Sequence, residues 1–339
     1  MFTLLVQPND NPFIQSTEPF FNIHLTKNRI WVVNIRIAYC LTVHTRPEQV
    51  GRLLDRIGDA DDHYYVDVFN KGLEDKWLQV LDRPAYDIEK VFKYSNGWGS
   101  FKLVQATLDA MEHFRDKPYD YFINLSGQCY PLRPIEQIKQ RLAAENGKSF
   151  VEYEPFPRPR WSDEKGGYRR LERIYFRPFR HANMWSVPRI RKIPLGMRPY
   201  GGSQWFCLHK AHVEYVLSFL EEHPEVVSFY KRSLIPDEMF FQTILMNSEV
   251  RDEIVNDNKR YTDWSKKCTP LPAVLLSEDV PRLERCNKFF ARKFDMLLDS
   301  KVLDILDVRS LSRETAIDDD DGRHDGGDGG RRVIIRTVS

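Results

Sequence analysis

Cysteine is scarce and poorly arranged for a framework. The five thiols, Cys40, Cys129, Cys207, Cys268 and Cys286, are odd in number and have no CxxC spacing. That argues against a secreted disulfide scaffold or a zinc ribbon and for reduced thiols in a cytoplasm. Net charge is also missing, since 50 Lys and Arg stand against 49 Asp and Glu. No global field therefore favours nucleic acid or an anionic membrane, and no nucleic-acid module is visible. No apolar run reaches the roughly 18 residues of a spanning helix. Met1 to Val6 lacks a basic n-region and a cleavage site. There is no internal repeat, no Ser-His-Asp arrangement, and no Gly-Lys-Ser/Thr behind the glycine-rich loop Gly201-Gly-Ser-Gln204.

What is present divides into three regions. Residues 1–34 form an N-terminal extension carrying Pro, Asn and aromatics ahead of the first good strand. Residues 35–297 hold every motif. Residues 298–339 read as a C-terminal helix followed by a disordered acidic and glycine-rich tail from Asp318 to Arg332, which cannot bury a core. Within the middle region, buried strands are expected at 35–42, 64–69, 121–125 and 149–152. Helices are expected at 47–57, 98–114 and 134–144, the last two strands and helices alternating through a nucleotide-binding half of about 35–150. This alternation predicts an α/β fold with a mostly parallel central sheet flanked by helices. Ligands of such sheets gather at the carboxyl ends of the strands, where His44, Asp67 and Ser126 fall. The half from about 151 to 297 would carry the catalytic and acceptor groups.

In that second half, Pro236-Asp-Glu-Met-Phe-Phe-Gln-Thr243 sets two acids behind a proline and ahead of an apolar helical pattern. A carboxylate held there suits a general base. Acids in a first turn equally satisfy orphan amides and the helix dipole, and Asp237 is expected to do so as the helix cap.

Other blocks accompany it in a fixed order. They are Ile37-Ala-Tyr-Cys-Leu-Thr-Val-His-Thr-Arg-Pro-Glu-Gln-Val50, Trp98-Gly-Ser-Phe-Lys-Leu-Val-Gln-Ala-Thr-Leu108 and Tyr121-Phe-Ile-Asn-Leu-Ser-Gly-Gln-Cys-Tyr-Pro-Leu-Arg133. Tyr200-Gly-Gly-Ser-Gln-Trp-Phe-Cys-Leu-His209, Arg260-Tyr-Thr-Asp-Trp264 and Lys288-Phe-Phe-Ala-Arg-Lys-Phe-Asp295 follow. Over roughly residues 35 to 297 the chain resembles the core-2/I-branching N-acetylglucosaminyltransferases, to which peptide-O-xylosyltransferases are related. The resemblance implies a GT-A-like nucleotide-binding fold and an inverting, metal-independent transferase. It would move a sugar from a uridine-diphosphate donor, N-acetylglucosamine forming a β-1,6 branch, to a glycan or glycolipid hydroxyl. Xylose transfer and a non-catalytic glycan-binding protein on the same fold are the alternatives. Animal members carry an N-terminal anchor, so the resemblance implies a bacterial, cytoplasmic version, with peripheral contact at the inner membrane allowed.

The resemblance also assigns residues. Glu238 matches the catalytic base, and Lys293 matches the lysine that neutralises the departing diphosphate in place of a metal. The family's assisting arginine has no counterpart in Leu271-Pro-Ala-Val-Leu-Leu276, which leaves Arg292, Arg260, Lys266 or Lys267 to replace it. His44, Arg46, Trp98 and Ser126 complete the donor side. Phe69 stands where the family has an aspartate, with Asp67 two residues away on the same strand face, and Cys129 also stands where relatives often carry aspartate. Trp264 would stack on the acceptor sugar, alongside Trp205, Ser203 and Gln204. No metal is expected. Asp59-Ala-Asp61 fits the letters of an Asp-x-Asp site but precedes its strand, and Asp318 to Asp321 lies in the tail. Between Arg158 and Arg198, basic residues far outnumber acids, so Arg169 and Arg170 are expected to meet an anionic acceptor.

Overall fold

The computed structural model describes residues 23–26, 29–32, 35–93, 97, 99–145, 147–159, 161, 165–177, 184–189, 191–265 and 271–309. The tail from 310 onward, with its acidic run, and Trp98, Lys266, Lys267 and Cys268 lie outside these residues.

After an antiparallel hairpin of Ile23–Thr26 with Arg29–Val32, the strand β1 (Ile37–Val43) is the spine of the molecule. Alternate side chains leave a strand on opposite faces. Ile37, Tyr39, Leu41 and Val43 accordingly pack on Leu53 and Leu54 of helix α1 (Pro47–Ile57). Ala38 and Cys40 enter a second core with Val104 and Met111 of helix α3 (Lys102–His113). α1 starts at its proline, has Glu48 in the first turn and Arg56 in the last, and so follows the preferences of both helix ends.

Strands β2 (His63–Val68), β3 (Asp87–Phe92) and β4 (Tyr121–Ser126) run parallel to β1. Helix α2 (Glu74–Leu81) connects β2 to β3. β5 (Cys129–Pro131), α4 (Ile135–Ala144) and β6 (Ser149–Val151) follow β4. Then come β7 (Glu154–Pro155), the short α5 (Tyr168–Glu172), and the hairpin β8 (Arg173–Phe176) with β9 (Trp185–Pro188). β10 (Tyr200–Gly201), β11 (Phe206–His209), α6 (Lys210–Glu222), α7 (Pro224–Tyr230), α8 (Phe240–Met246), β12 (Ile254–Val255) and β13 (Arg260–Thr262) continue the chain. α9 (Val280–Arg285), β14 (Phe290–Arg292) and a helix over 301–309 complete it.

The main sheet has the order β12-β6-β11-β4-β1-β2-β3. Only β11 opposes its neighbours, so the sheet is mostly parallel, as the alternating pattern predicts. From β1 the chain moves outward to β2 and β3 and then returns to β4 on the other side of β1. The crevice beyond β1 and β4 is therefore the switch point at which such sheets bind ligands. A small second sheet, β13-β14-β5, lies on the same carboxyl side and sets Thr262, Arg292 and Cys129 in one row.

The acid-bearing segment differs from its predicted form. Pro236–Glu238 is a single 3₁₀ turn entered through a left-handed Ile235, and α8 begins only at Phe240, because Met239 leaves helical geometry at φ −142. Asp237 caps neither the turn nor α8, since neither has a side-chain cap hydrogen bond, and the residue is 7% exposed. Among the described residues no helix is long and apolar enough to cross a membrane.

Candidate active site

Beyond the switch point lies a cleft of ≈ 560 Å³. Its walls include Glu238, Ser203, Gln204, Trp205, Trp264 and Arg292, drawn from segments far apart in the chain.

Glu238 is placed by backbone contacts on both sides. Its carbonyl accepts from Gly202 N at 2.8 Å, and the preceding Ile235 N donates to Gly99 O at 2.9 Å. Gly202 has no room for a side chain, because an added Cβ would lie 1.7 Å from the Glu152 carbonyl oxygen. The Glu238 carboxylate accepts from Arg170 Nη1 at 2.8 Å through Oε2. Arg170 is itself held flat, its guanidinium 3.6 Å from the Trp161 ring centre. Trp161 sits edge-on to Phe156 and over Gly167 and Gly201, where any Cβ would collide with the indole. A chain of contacts from two glycines through Trp161 and Arg170 thus aims the acid. Beside it, burial and then the Glu238 charge push the Asp237 carboxyl up to about 7.

The opposite wall is cationic. Arg292 lies with its guanidinium carbon 4.8 Å from the Trp205 ring centre, and its buried Nε has no hydrogen-bond partner. Burial lowers its pKa, and Cys129, its neighbour across the small sheet, takes a side-chain hydrogen bond from it. Lys293 follows, half-buried, its pKa lowered by burial and then by Arg292. Desolvation by the surrounding protein, then Lys293 and Arg292, pulls the His44 imidazole below its usual range. Among the described residues no carboxylate forms an ion pair with Arg292 or Lys293. Neighbouring cations that lack an ion-paired carboxylate favour an anion between them.

The other expected donor residues are used internally. Arg260 is buried, donating to the carbonyls of Asn124 at 3.1 Å and Asn258 at 3.0 Å, so it forms the floor of the cleft. Arg46 makes a two-pronged pair with Asp295 at 2.8 and 3.1 Å. Asp67 is buried against Lys93 at 2.5 Å, and Ser126 Oγ bonds Gln128 N and the Cys129 thiol. Asp59 and Asp62 hold Lys139 at 2.6 and 2.9 Å. Among the described residues no group of three His, Cys, Asp or Glu could hold a metal ion.

On the acceptor side, Trp264 is 61% exposed and presents its ring to the cleft. Ser203 and Gln204 are fixed through their carbonyls by Gln242 at 2.6 Å and Asn124 at 2.7 Å. Arg170 is the base's partner, and Arg169 is exposed on α5. Glu152, Trp161, Asn258 and Thr262 also line the cleft without having stood out in the sequence. A buried asparagine and a loop tryptophan carry no local signal of function.

The sequence model of the Core-2/I-Branching enzyme family matches residues 37–289, and the chain belongs to that family. Xylosyltransferase 2 of Rattus norvegicus is 32% identical over 298 residues, covering 80% of this chain and 33% of that protein. Xylosyltransferase 1 of Homo sapiens is 30% identical over 303 residues, covering 80% of this chain and 30% of that protein. The chain therefore spans about a third of the length of the curated relatives it matches. A solved structure of mouse xyloside xylosyltransferase 1, in its apo form, aligns with 76% of this chain and 97% of that chain at 10% identity, with a TM-score of 0.37.

Proposed function

We propose that the chain is an inverting glycosyltransferase that uses a uridine-diphosphate sugar without a metal. The observation that carries this reading is one cleft lined by a fixed carboxylate, Glu238, and by Arg292, which pairs with no carboxylate among the described residues and is followed in the chain by Lys293. Glu238 takes the proton of the acceptor hydroxyl as that oxygen bonds the anomeric carbon. The bond from the anomeric carbon to the diphosphate breaks on the far side, and the electron pair leaves with the diphosphate. Arg292 and Lys293 neutralise that leaving group, Arg292 replacing the arginine missing from 271–276. Neutral His44 then hydrogen-bonds the nucleotide without adding charge. Trp264 stacks on the acceptor sugar.

Similarity to xylosyltransferases 1 and 2 puts xylose first as the transferred sugar, ahead of N-acetylglucosamine. A cytoplasmic, bacterial setting belongs to the same proposal. The test follows nucleotide release from a panel including UDP-xylose and UDP-N-acetylglucosamine, with EDTA present and donor affinity read by calorimetry. Release from one donor, insensitive to EDTA and abolished by Glu238→Gln, is expected. Absence of both turnover and donor binding would leave a glycan-binding protein on the same fold.

A further inference from the structure

A second hollow of ≈ 450 Å³ adjoins the cleft, and the two share Glu152, Arg158, Asn258 and Arg260. Beyond this shared rim it is lined by Tyr153, Glu154, Asn256, Asp257 and Lys288. The transfer site therefore continues into a trench running away from Glu238 and past Glu152.

Its chemistry is distinctive. Two of its three cations have an acid beside them. Arg158 pairs with Glu152 at 3.2 Å and Glu154 at 3.1 Å, and Lys288 pairs with Asp257 at 2.7 Å. Arg260 is spent on backbone carbonyls. Arg260 has no carboxylate partner but is only 4% exposed, so an anionic chain would face three carboxylates and no accessible cation that lacks one. The lining is otherwise amide, and Tyr153 is its one aromatic, so a greasy segment gains little. Carboxylates and amides already held in place suit hydroxyl groups, each oxygen keeping acceptor capacity beyond its internal partner. The trench is also rigid. Asn256 clasps the Tyr153 backbone at 2.9 Å through both of its side-chain atoms, and Asn258 Nδ2 donates to Glu152 at 3.0 Å. Fixed polar groups lose little entropy when a flexible polyol binds.

We propose that this trench is an acceptor-extension subsite for a neutral glycan, binding sugar units beyond the one that stacks on Trp264 and receives the transferred sugar. The proposal rests on the transferase reading above and replaces the expectation of an anionic acceptor. Several cations of the basic segment that prompted that expectation have partners within the fold. Arg158, Lys165, Arg170 and Arg191 bond Glu152, Glu172, Glu238 and backbone carbonyls respectively.

The test uses a printed array of neutral oligosaccharides from single sugars to hexamers, matched uronate and sulfate ladders, and serine-containing peptides. It is probed with the wild-type chain and with Lys288→Ala and Glu154→Ala in the presence of UDP. Selective binding of neutral chains of three or more units is expected, weakened about tenfold in the variants. Preference for single sugars, anionic ladders or peptides, or equal binding by the variants, overturns the trench, as does no binding to any glycan. UDP affinity, measured by calorimetry on the same samples, separates the two levels. A protein that binds UDP but ignores long neutral glycans loses only the subsite, whereas one that binds no UDP loses the transferase reading.

Discussion

The two walls of the cleft handle charge in opposite ways. On the acid wall, Glu238 has its counter-charge inside the protein, from an arginine stacked on Trp161. On the cationic wall, burial depresses the pKa of both Arg292 and Lys293, and neither pairs with a carboxylate among the described residues. The difference shows where each wall expects its partner. A base that meets a neutral hydroxyl must be aimed but needs no outside charge. A group that meets a diphosphate must leave its charge unanswered until the ligand arrives, since an internal carboxylate would compete with it.

The contrast can be broken most sharply at the base. Glu238→Gln should cut kcat/KM about a thousandfold or more while donor affinity by calorimetry stays within about twofold. Loss of donor binding in that variant would mean that the acid wall is not separate from the nucleotide site. Arg292→Ala should act the other way, weakening UDP binding and lowering kcat together by about a hundredfold. Arg170→Met should cost about tenfold in kcat with little change in donor KM, and Arg170→Lys should recover part of it. Lysine keeps the charge but cannot lie flat on Trp161.

Two pH effects sharpen the comparison further. Lys293 is held below its ordinary value of 10.5, so kcat/KM should fall on the alkaline side earlier than an exposed lysine would dictate. Lys293→Arg should move that limb out of range, and bound diphosphate should suppress it in kcat. Asp237 gives the smallest effect, on stability. Folding raises its pKa from 3.8 to about 7, so the folded state holds a proton that the unfolded chain releases. Its effect on stability is therefore most favourable near pH 4, is lost as pH rises through 7, and stays lost above. Asp237→Asn should raise the melting temperature at pH 8, by about 1–3 kcal/mol of stability, and give no gain at pH 4.

Much of the frame was legible in the chain. Pro47 and the spacing of Val50, Leu53, Leu54 and Ile57 set α1 at its observed bounds. Short buried apolar runs marked three of the central strands to within two residues at either end. The acid after Pro236 was legible as a candidate base, but the form of its turn was not. Met239 breaks the helix there for tertiary reasons, as the segment docks against Gly99 and Gly202. Arg260 and Asp67 had the letters of binding groups, and only packing shows that both are turned to internal partners.

By itself, the sequence determined the local elements and the order of the motif blocks, because helix and strand periodicity and glycine or proline geometry act over a few residues. Tertiary structure decided which side chains face each other. Arg292 stands opposite Glu238 because β14 pairs with β5 and β13, joining Cys129, Thr262 and Arg292 in one row. Arg170 reaches Glu238 because Trp161 finds room above Gly167 and Gly201. These contacts span tens to more than a hundred positions along the chain. They depend on how two cores close around one sheet, which no local pattern of residues encodes.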